Sequence, residues 1–187
     1  MKPLGARERW DTRYSTEEYL FGEEPSSLLT EATFPAEGQA LDIGCGEGQN
    51  AVYLAQQGLE VVAVDISVVG LRKARRLAAA RGVEIRELLS DIELAGIPKG
   101  PFDVIVCIHY AQRELAAQIV DALSPGGLLL MELHTLENLK HSPTPSRTHL
   151  INTNELITWF PQLFIESYRE ISDEHKAVAQ LVARKGR

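Results

Sequence analysis

Apolar and polar positions follow one another along this chain in two rhythms, and their succession predicts its elements. A short apolar run gives a strand over 39–44, followed by a helix over Gln49–Gln57 that closes at Gly58. A second strand covers 60–65, and Ser67 is placed to cap a helix over 68–81 ending at Gly82. Val83–Leu88 reads as a third strand and leads to Ser90-Asp91-Ile92. Phe102–Ile108 is apolar almost throughout, as expected of a strand buried on both faces. A helix over Arg113–Leu123 follows, then a turn at Ser124-Pro125-Gly126-Gly127 and a strand over Leu128–Leu133. Strands alternating with helices imply right-handed crossovers and a doubly wound sheet. The tail differs: Thr153 or Asn154 caps a short helix to Phe160, and strands at 163–171 and 176–184 flank the polar turn Ser172–His175. The expected fold is α/β, a doubly wound, seven-stranded, mostly parallel sheet with a C-terminal antiparallel hairpin.

The junction of the first strand and helix carries the chemistry. Residues 41–50 read Leu-Asp-Ile-Gly-Cys-Gly-Glu-Gly-Gln-Asn, and the second strand ends in Asp65. Glycines 44, 46 and 48 let backbone approach a ligand closely, and an acid ending the next strand suits the ribose hydroxyls of a nucleoside. Dinucleotide sites follow GxGxxG, whereas here the spacing is GxGxG and Gln49 stands where the last glycine belongs. Asp42 also precedes the loop. A carboxylate there repels a pyrophosphate and attracts a cationic amino acid. S-adenosylmethionine carries an ammonium, a sulfonium and no phosphate, so it is the expected cofactor, with S-adenosylhomocysteine as product.

Composition narrows the partners. The 187 residues suit one domain over 1–187, and a net charge of −7 disfavours a broad phosphate-binding surface. Nucleic acid is therefore not expected, and a small-molecule acceptor is favoured. Lys2, Arg7, Arg9 and Arg13 read as a solvated face, as do Arg72, Lys73, Arg75 and Arg76. Cys45 and Cys107 form no metal-ligand spacing, so no metal is expected. With neither a leader-like apolar segment nor a spanning run, the expectation is a cytoplasmic protein without membrane contact, as monomer or homodimer.

Ligands of such sheets lie outside the carboxyl ends of the strands. On that rule Asp91 accepts from the adenine amino group, or else caps a turn, with Ile66 and Ile92 as apolar walls. Cys45 lies within the cofactor loop, and the backbone at Cys107 and Ile108 reaches toward the methionine part. His109 and Tyr110 sit where an acceptor approaches, and Arg113 holds an anionic acceptor or is a surface helix residue. Trp10, Tyr14, Tyr19 and Phe21, four aromatics in the stretch Trp10–Pro25 ahead of the first strand, predict a lid over 1–35 that brings Arg13 or Tyr19 near the ligand, or simple packing on the sheet.

The stretches Trp10–Pro25, Asp42–Ala55, Ala63–Ser67 and Gln180–Lys185 together resemble the tellurite-resistance and thiopurine-type group of class I S-adenosylmethionine-dependent methyltransferases. That resemblance implies a Rossmann-like fold, a small-molecule nucleophile as acceptor, and cofactor contacts at Asp42, Gly44, Gly46, Asn50, Asp65 and Asp91. Gln49 replaces a usual arginine and Val68 a usual proline. A loop over 134–152, with His134, His141, Arg147 and His149, is expected over the acceptor. A soft thiolate or chalcogen oxyanion needs no base; a hydroxyl or amine needs one, and His109 and His134 are the candidates. Two other readings stay open: a binding subunit or sensor without turnover, and a nicotinamide-dependent oxidoreductase, which Gln49 and Asp42 disfavour.

Overall fold

The computed structural model describes residues 5–142 and 149–187. Lys2 and Arg147, singled out in the sequence, lie outside the described residues. The chain divides into two compact units, Met1–Gly96 and Ile97–Arg187.

The N-terminal unit begins with helix α1 (Ala6–Tyr14) and the one-turn helix α2 (Ser27–Thr30). Strand β1 (Gln39–Ile43) leads through the glycine loop into α3 (Gln49–Gln56), then β2 (Glu60–Asp65), α4 (Val68–Ala80), β3 (Arg86–Leu89) and α5 (Ile92–Ala95). Ala40, Leu41 and Ile43 of β1 and Val61–Val64 of β2 are apolar and buried because both faces are covered, and β2 pairs in parallel with both β1 and β3. The third strand starts at Arg86 rather than at Val83. Val83 and Ile85 instead pack as loop residues on the cluster of Val52, Leu77 and Ala78, so tertiary burial outweighs their β propensity.

The C-terminal unit holds β4 (Phe102–Ile108), a 3₁₀ turn at Arg113–Leu115, α6 (Ala116–Ala122) and β5 (Leu123–His134). The expected turn at Ser124–Gly127 is drawn into β5. Leu123 pairs with Phe102 before a register shift, and Gly126 and Gly127 exchange backbone hydrogen bonds with Lys185. The expected helix up to Phe160 is only a 3₁₀ turn over Leu156–Trp159, preceded by Asn154 at φ 60°. β6 (Phe164–Ser172) and β7 (Ala177–Arg184) form the hairpin, whose turn is closed by Asp173 Oδ1 accepting from the N–H groups of His175 and Lys176. β7 pairs antiparallel with both β6 and β5.

In sheet order the seven strands read β3-β2-β1-β4-β5-β7-β6. This is the expected mostly parallel sheet with an antiparallel edge. Among the described residues no helix is long and apolar enough to cross a membrane.

Candidate active site

The glycine loop is built by its own hydrogen bonds. The N–H groups of Gly44 and Cys45 both donate to Val64 O, at 2.9 and 3.0 Å, which ties the loop to the end of β2. Gly46 N donates to Asp65 Oδ2 at 2.9 Å, and Gly48 N donates to Cys45 O at 2.9 Å. A phosphate cradle needs a set of free N–H donors. Here four of them are already used within the loop and β2.

Two of the glycines are required sterically. At Gly48 (φ 88°) a Cβ would lie 2.4 Å from Ala74 Cβ, so the position serves close packing of α3 on α4. At Gly46 (φ 55°) a Cβ would lie 2.8 Å from the Tyr14 hydroxyl, so the close approach is by an aromatic of α1.

The loop's acceptors are in the opposite condition from its donors. Asp42 is 1% exposed and takes the Ala51 N–H, yet its Oδ2 has no partner, and neither does the buried Oε1 of Gln49. Burial, helped by the charge of Asp65 and only partly opposed by the Ala51 N–H, pushes the Asp42 carboxyl up to about 7. Asp65 is raised for the same first reason, while the N–H groups of Ser67, Gly46 and Ile66 hold it back. Its Oδ1 accepts from Ser67 N at 2.8 Å, and each carboxylate oxygen keeps lone-pair capacity for a further donor. Cys45 is buried and its thiol is pushed well up, first by burial and then by Asp65 and Asp42, so it is an unreactive packing residue of the loop. Two orphaned buried acceptors beside spent donors fit a cationic, donor-rich ligand better than an anionic one.

The N-terminal segment is fastened to this loop. Asp11 Oδ1 accepts from Ser67 Oγ at 2.6 Å and from Val69 N at 3.2 Å, adding a second cap to the start of α4. Tyr14 is buried, stacked on Trp10 with Phe21 against its edge. Arg13 lies over the Trp10 ring at 4.7 Å, and Tyr19 donates its hydroxyl to Lys73 O at 3.1 Å. Arg13 and Tyr19 are thus engaged with the segment itself and with α4, and the aromatic that meets the glycine loop is Tyr14.

Glu47, wholly buried, reaches from the loop to accept from Leu20 N at 2.7 Å and from Lys73 Nζ at 2.5 Å. Lys73 is 6% exposed and also donates to Glu18 O, so it belongs to a buried ion pair and not to the solvated stripe. Asn50 Oδ1 accepts from Ser26 N at 2.9 Å and holds the chain entering α2. Asp91 caps α5 through Glu93 N at 3.2 Å, with Ile92 buried and Ile66 partly buried beside their strand ends. Asp11, Tyr14, Glu47 and Lys73 were not anticipated. Glu47 carried a signal, being the one acid inside the loop itself, but its partners lie 26 and 27 positions away.

In the C-terminal unit the ends of β4 and β5 bring a polar cluster together. Ile108 pairs with Glu132, and Glu132 pairs with Gln180 across β7. Glu132 is 1% exposed and faces three donors: His109 Nε2 at 3.2 Å, Lys176 Nζ at 3.3 Å, and a short contact from Gln180 Nε2. Burial raises its carboxyl, but the hydrogen bonds from His109 and Gln180 and the charges of His109 and Lys176 prevail and hold it at about 2. His109 has φ 61° and stacks on His134 with ring centroids 4.3 Å apart. Burial first, then the His109 charge, lower His134 to about 4, so it is neutral near pH 7.

Tyr110 donates its hydroxyl to Gln112, and the buried Cys107 thiol donates to Tyr110 O. Arg113 is bound to Glu155 and to Leu150 O and lies over Trp159, so it anchors the chain after β5. Among the described residues no group of three or more His, Cys, Asp or Glu is arranged to hold a metal ion.

Residues 40–127 match the model of the methyltransferase domain family. The chain's fold, with its seven-stranded, mostly parallel sheet, is similar to that of a solved S-adenosylmethionine-dependent methyltransferase from Mesorhizobium loti. The chain is 36% identical over 98 residues to the demethylmenaquinone methyltransferase of Thermus thermophilus, covering 49% of this chain and 44% of the relative. To the ubiquinone biosynthesis O-methyltransferase of Caulobacter it is 35% identical over 104 residues, covering 52% and 41%. The chain thus spans about half the length of these curated relatives. A solved structure from Pyrococcus horikoshii superposes with a TM-score of 0.72 at 19% identity, covering 97% of this chain and all of that one. TehB from Haemophilus influenzae gives 0.71 at 21% identity over 96% of this chain and 66% of its own, in keeping in fold with the grouping read from the motifs.

Proposed function

We propose that the protein transfers the methyl group of S-adenosylmethionine to a small-molecule nucleophile. The observation that carries this reading is the orphaned carboxylate oxygen of the buried Asp42, next to a glycine loop with spent N–H donors. A cationic amino-acid moiety satisfies that oxygen, whereas a pyrophosphate leaves it unpaired and adds repulsion. In this reading Asp42 and the backbone of Gly44, Cys45 and Gly46 hold the methionine end. Asp65 accepts from the ribose, Ile66, Asp91 and Ile92 flank the adenine, and Asn50 holds the covering segment in place. The finer expectations that Arg13, Tyr19 and Cys107 contact the cofactor, and that Tyr110 and Arg113 orient the acceptor, belong to the same proposal.

Bound there, the cofactor would supply an activated methyl group on a sulfonium. The chain's own part is alignment and exclusion of water. Tyr14, packed between Trp10 and Phe21, meets the glycine loop at Gly46, and Asp11 and the Glu47–Lys73 pair fasten the segment that carries it.

Calorimetric titration with S-adenosylmethionine and S-adenosylhomocysteine, with NADH as control, tests the reading. Micromolar binding of both adenosyl ligands and none of NADH is expected. No binding of either adenosyl ligand would sink it.

A further inference from the structure

We propose that a cavity beside α3 is a second binding site, for a small organic cation with a primary ammonium or guanidinium on a short apolar body. Its occupant clasps the N-terminal segment to α3. The inference goes beyond the methyltransferase reading and does not depend on it.

The cavity is built within the N-terminal unit alone and holds about 280 Å³, near the lower end of the range for small-molecule pockets, about 300–1,000 Å³. Neither Asp42, Asp65 nor the loop glycines line it, so it is distinct from the place proposed for the cofactor. Its walls come from three parts of the chain. Glu23 and Glu24 belong to the segment ahead of the sheet, Gln49, Val52 and Tyr53 to α3, and Arg81 to the end of α4.

Charge sets the sign of the occupant. Arg81 Nη2 stands 3.4 Å from Glu23 Oε2 and 3.2 Å from Glu24 Oε1, so one guanidinium serves two carboxylates and the lining is net negative. All three side chains are at least 39% exposed, and ion pairs of that kind hold weakly, so a second cation competes at small cost. An anion would meet the surplus carboxylate.

A buried acceptor sets the head group. Gln49 Oε1 is shut off from solvent with no hydrogen-bond partner, a state that costs free energy until a donor fills it. That oxygen and the carboxylates are all acceptors, and one nitrogen carrying several N–H bonds serves them together. Val52 is 3% exposed, and Tyr53 is partly buried with its ring edge-on to Phe34 at 6.3 Å. These two give an apolar body a surface to lie on, from which a bare inorganic ion gains nothing.

The clasp follows from the walls. Ser26 N donates to Asn50 Oδ1 at 2.9 Å, and this bond joins the same two elements just beyond Glu24 and Gln49. A cation held jointly by the segment's carboxylates and the α3 amide oxygen binds only the fastened state and so stabilises it.

The test uses the whole chain without cofactor and butylammonium chloride as the probe, followed in ¹⁵N–¹H spectra at the backbone amides of Val52, Tyr53 and Arg81. Saturable shifts are expected, with none from butanol, butyrate or potassium chloride. Glu23→Gln/Glu24→Gln, at two exposed positions, should weaken the probe by about fivefold, the upper worth of an exposed ion pair. Gln49→Met keeps the side chain's length and removes the oxygen, and should weaken it by about tenfold or more, as for a hydrogen bond to a charged group. Hydrogen exchange at Ser26 N–H should slow by about twofold or more at saturation. Shifts that never saturate, an equal response to butanol or potassium chloride, or unchanged affinity in either variant overturn the site. If Gln49→Met does not fold, the double variant decides. Saturable binding that leaves Ser26 exchange unchanged overturns the clasp.

Discussion

Asp42 and Glu132 are carboxylates on two strands of the sheet, each 1% exposed, and they titrate in opposite directions. Asp42 rises from 3.8 to about 7, whereas Glu132 falls from 4.5 to about 2. Burial acts alike on both, since a low dielectric penalises either charge. Partners make the difference. Glu132 has an amide, an imidazole and an ammonium from its own unit. Asp42 has one N–H and a neighbouring carboxylate, with Oδ2 unpaired. A completed cluster is a finished piece of protein; an incomplete one of the same depth points to a partner from outside. The N-terminal carboxylate keeps an unpaired oxygen, and the C-terminal one is paired with a histidine and a lysine.

The contrast can be broken most strongly at a third buried carboxylate. Glu47 is fully buried with Lys73 as its cation, so Lys73→Ala strands the charge and should cost about 3–5 kcal/mol in urea unfolding. A loss below about 1 kcal/mol would mean that water reaches Glu47. Next in size, Asp65→Ala should weaken S-adenosylmethionine binding by about 1.5–3 kcal/mol in calorimetry, the worth of a charge-assisted bond. Unchanged affinity would place the ribose elsewhere.

Glu132→Gln should destabilise by about 1–3 kcal/mol at pH 7, because His109 and Lys176 are only partly buried and retain water. The acid side sharpens this. A folded pKa below the unfolded value gives stability that is present above about 4.5 and lost as pH falls toward about 2, and the variant should lose that slope in unfolding from pH 2 to 6.

Asp42→Asn should move stability least, and with the opposite sign of pH dependence. A raised folded pKa gives stability that is fully present below about 3.8 and lost as pH rises through about 7, so the variant should be the more stable above neutrality. Cationic ligand binding should pull the Asp42 proton off near pH 7, giving an observed enthalpy that depends on the buffer's ionisation heat. A buffer-independent enthalpy in wild type would detach Asp42 from the ligand.

The strands were legible because burial on both faces writes short apolar runs, Val61–Val64 in β2 and Val104–Ile108 in β4, and the glycine loop because its glycines stand between two such strands. Lys73 was misread because helical spacing puts it beside Arg72 and Arg76, and nothing local reveals that Glu47 draws it inward. β3 was placed early because Val83 and Ile85 are good strand formers that the helix cluster captures first. His109 was legible from its place after β4; its partner was not, since a single acid in an apolar strand looks like noise until the register sets it beside Ile108 and Gln180. The lone Gln180 in the opposing apolar strand was the available signal.

The grip of Glu47 on Leu20 has a practical consequence for anyone handling this protein. Trimming the chain to start after the first helix and its following loop is not a clean removal of an appendage. It would deprive the loop carboxylate of its Leu20 N–H and bare the notch where Tyr14 meets Gly46 and Gly70. An affinity tag or fusion partner is therefore better placed at the other terminus, where Arg187 is exposed and the last strand already ends at Arg184.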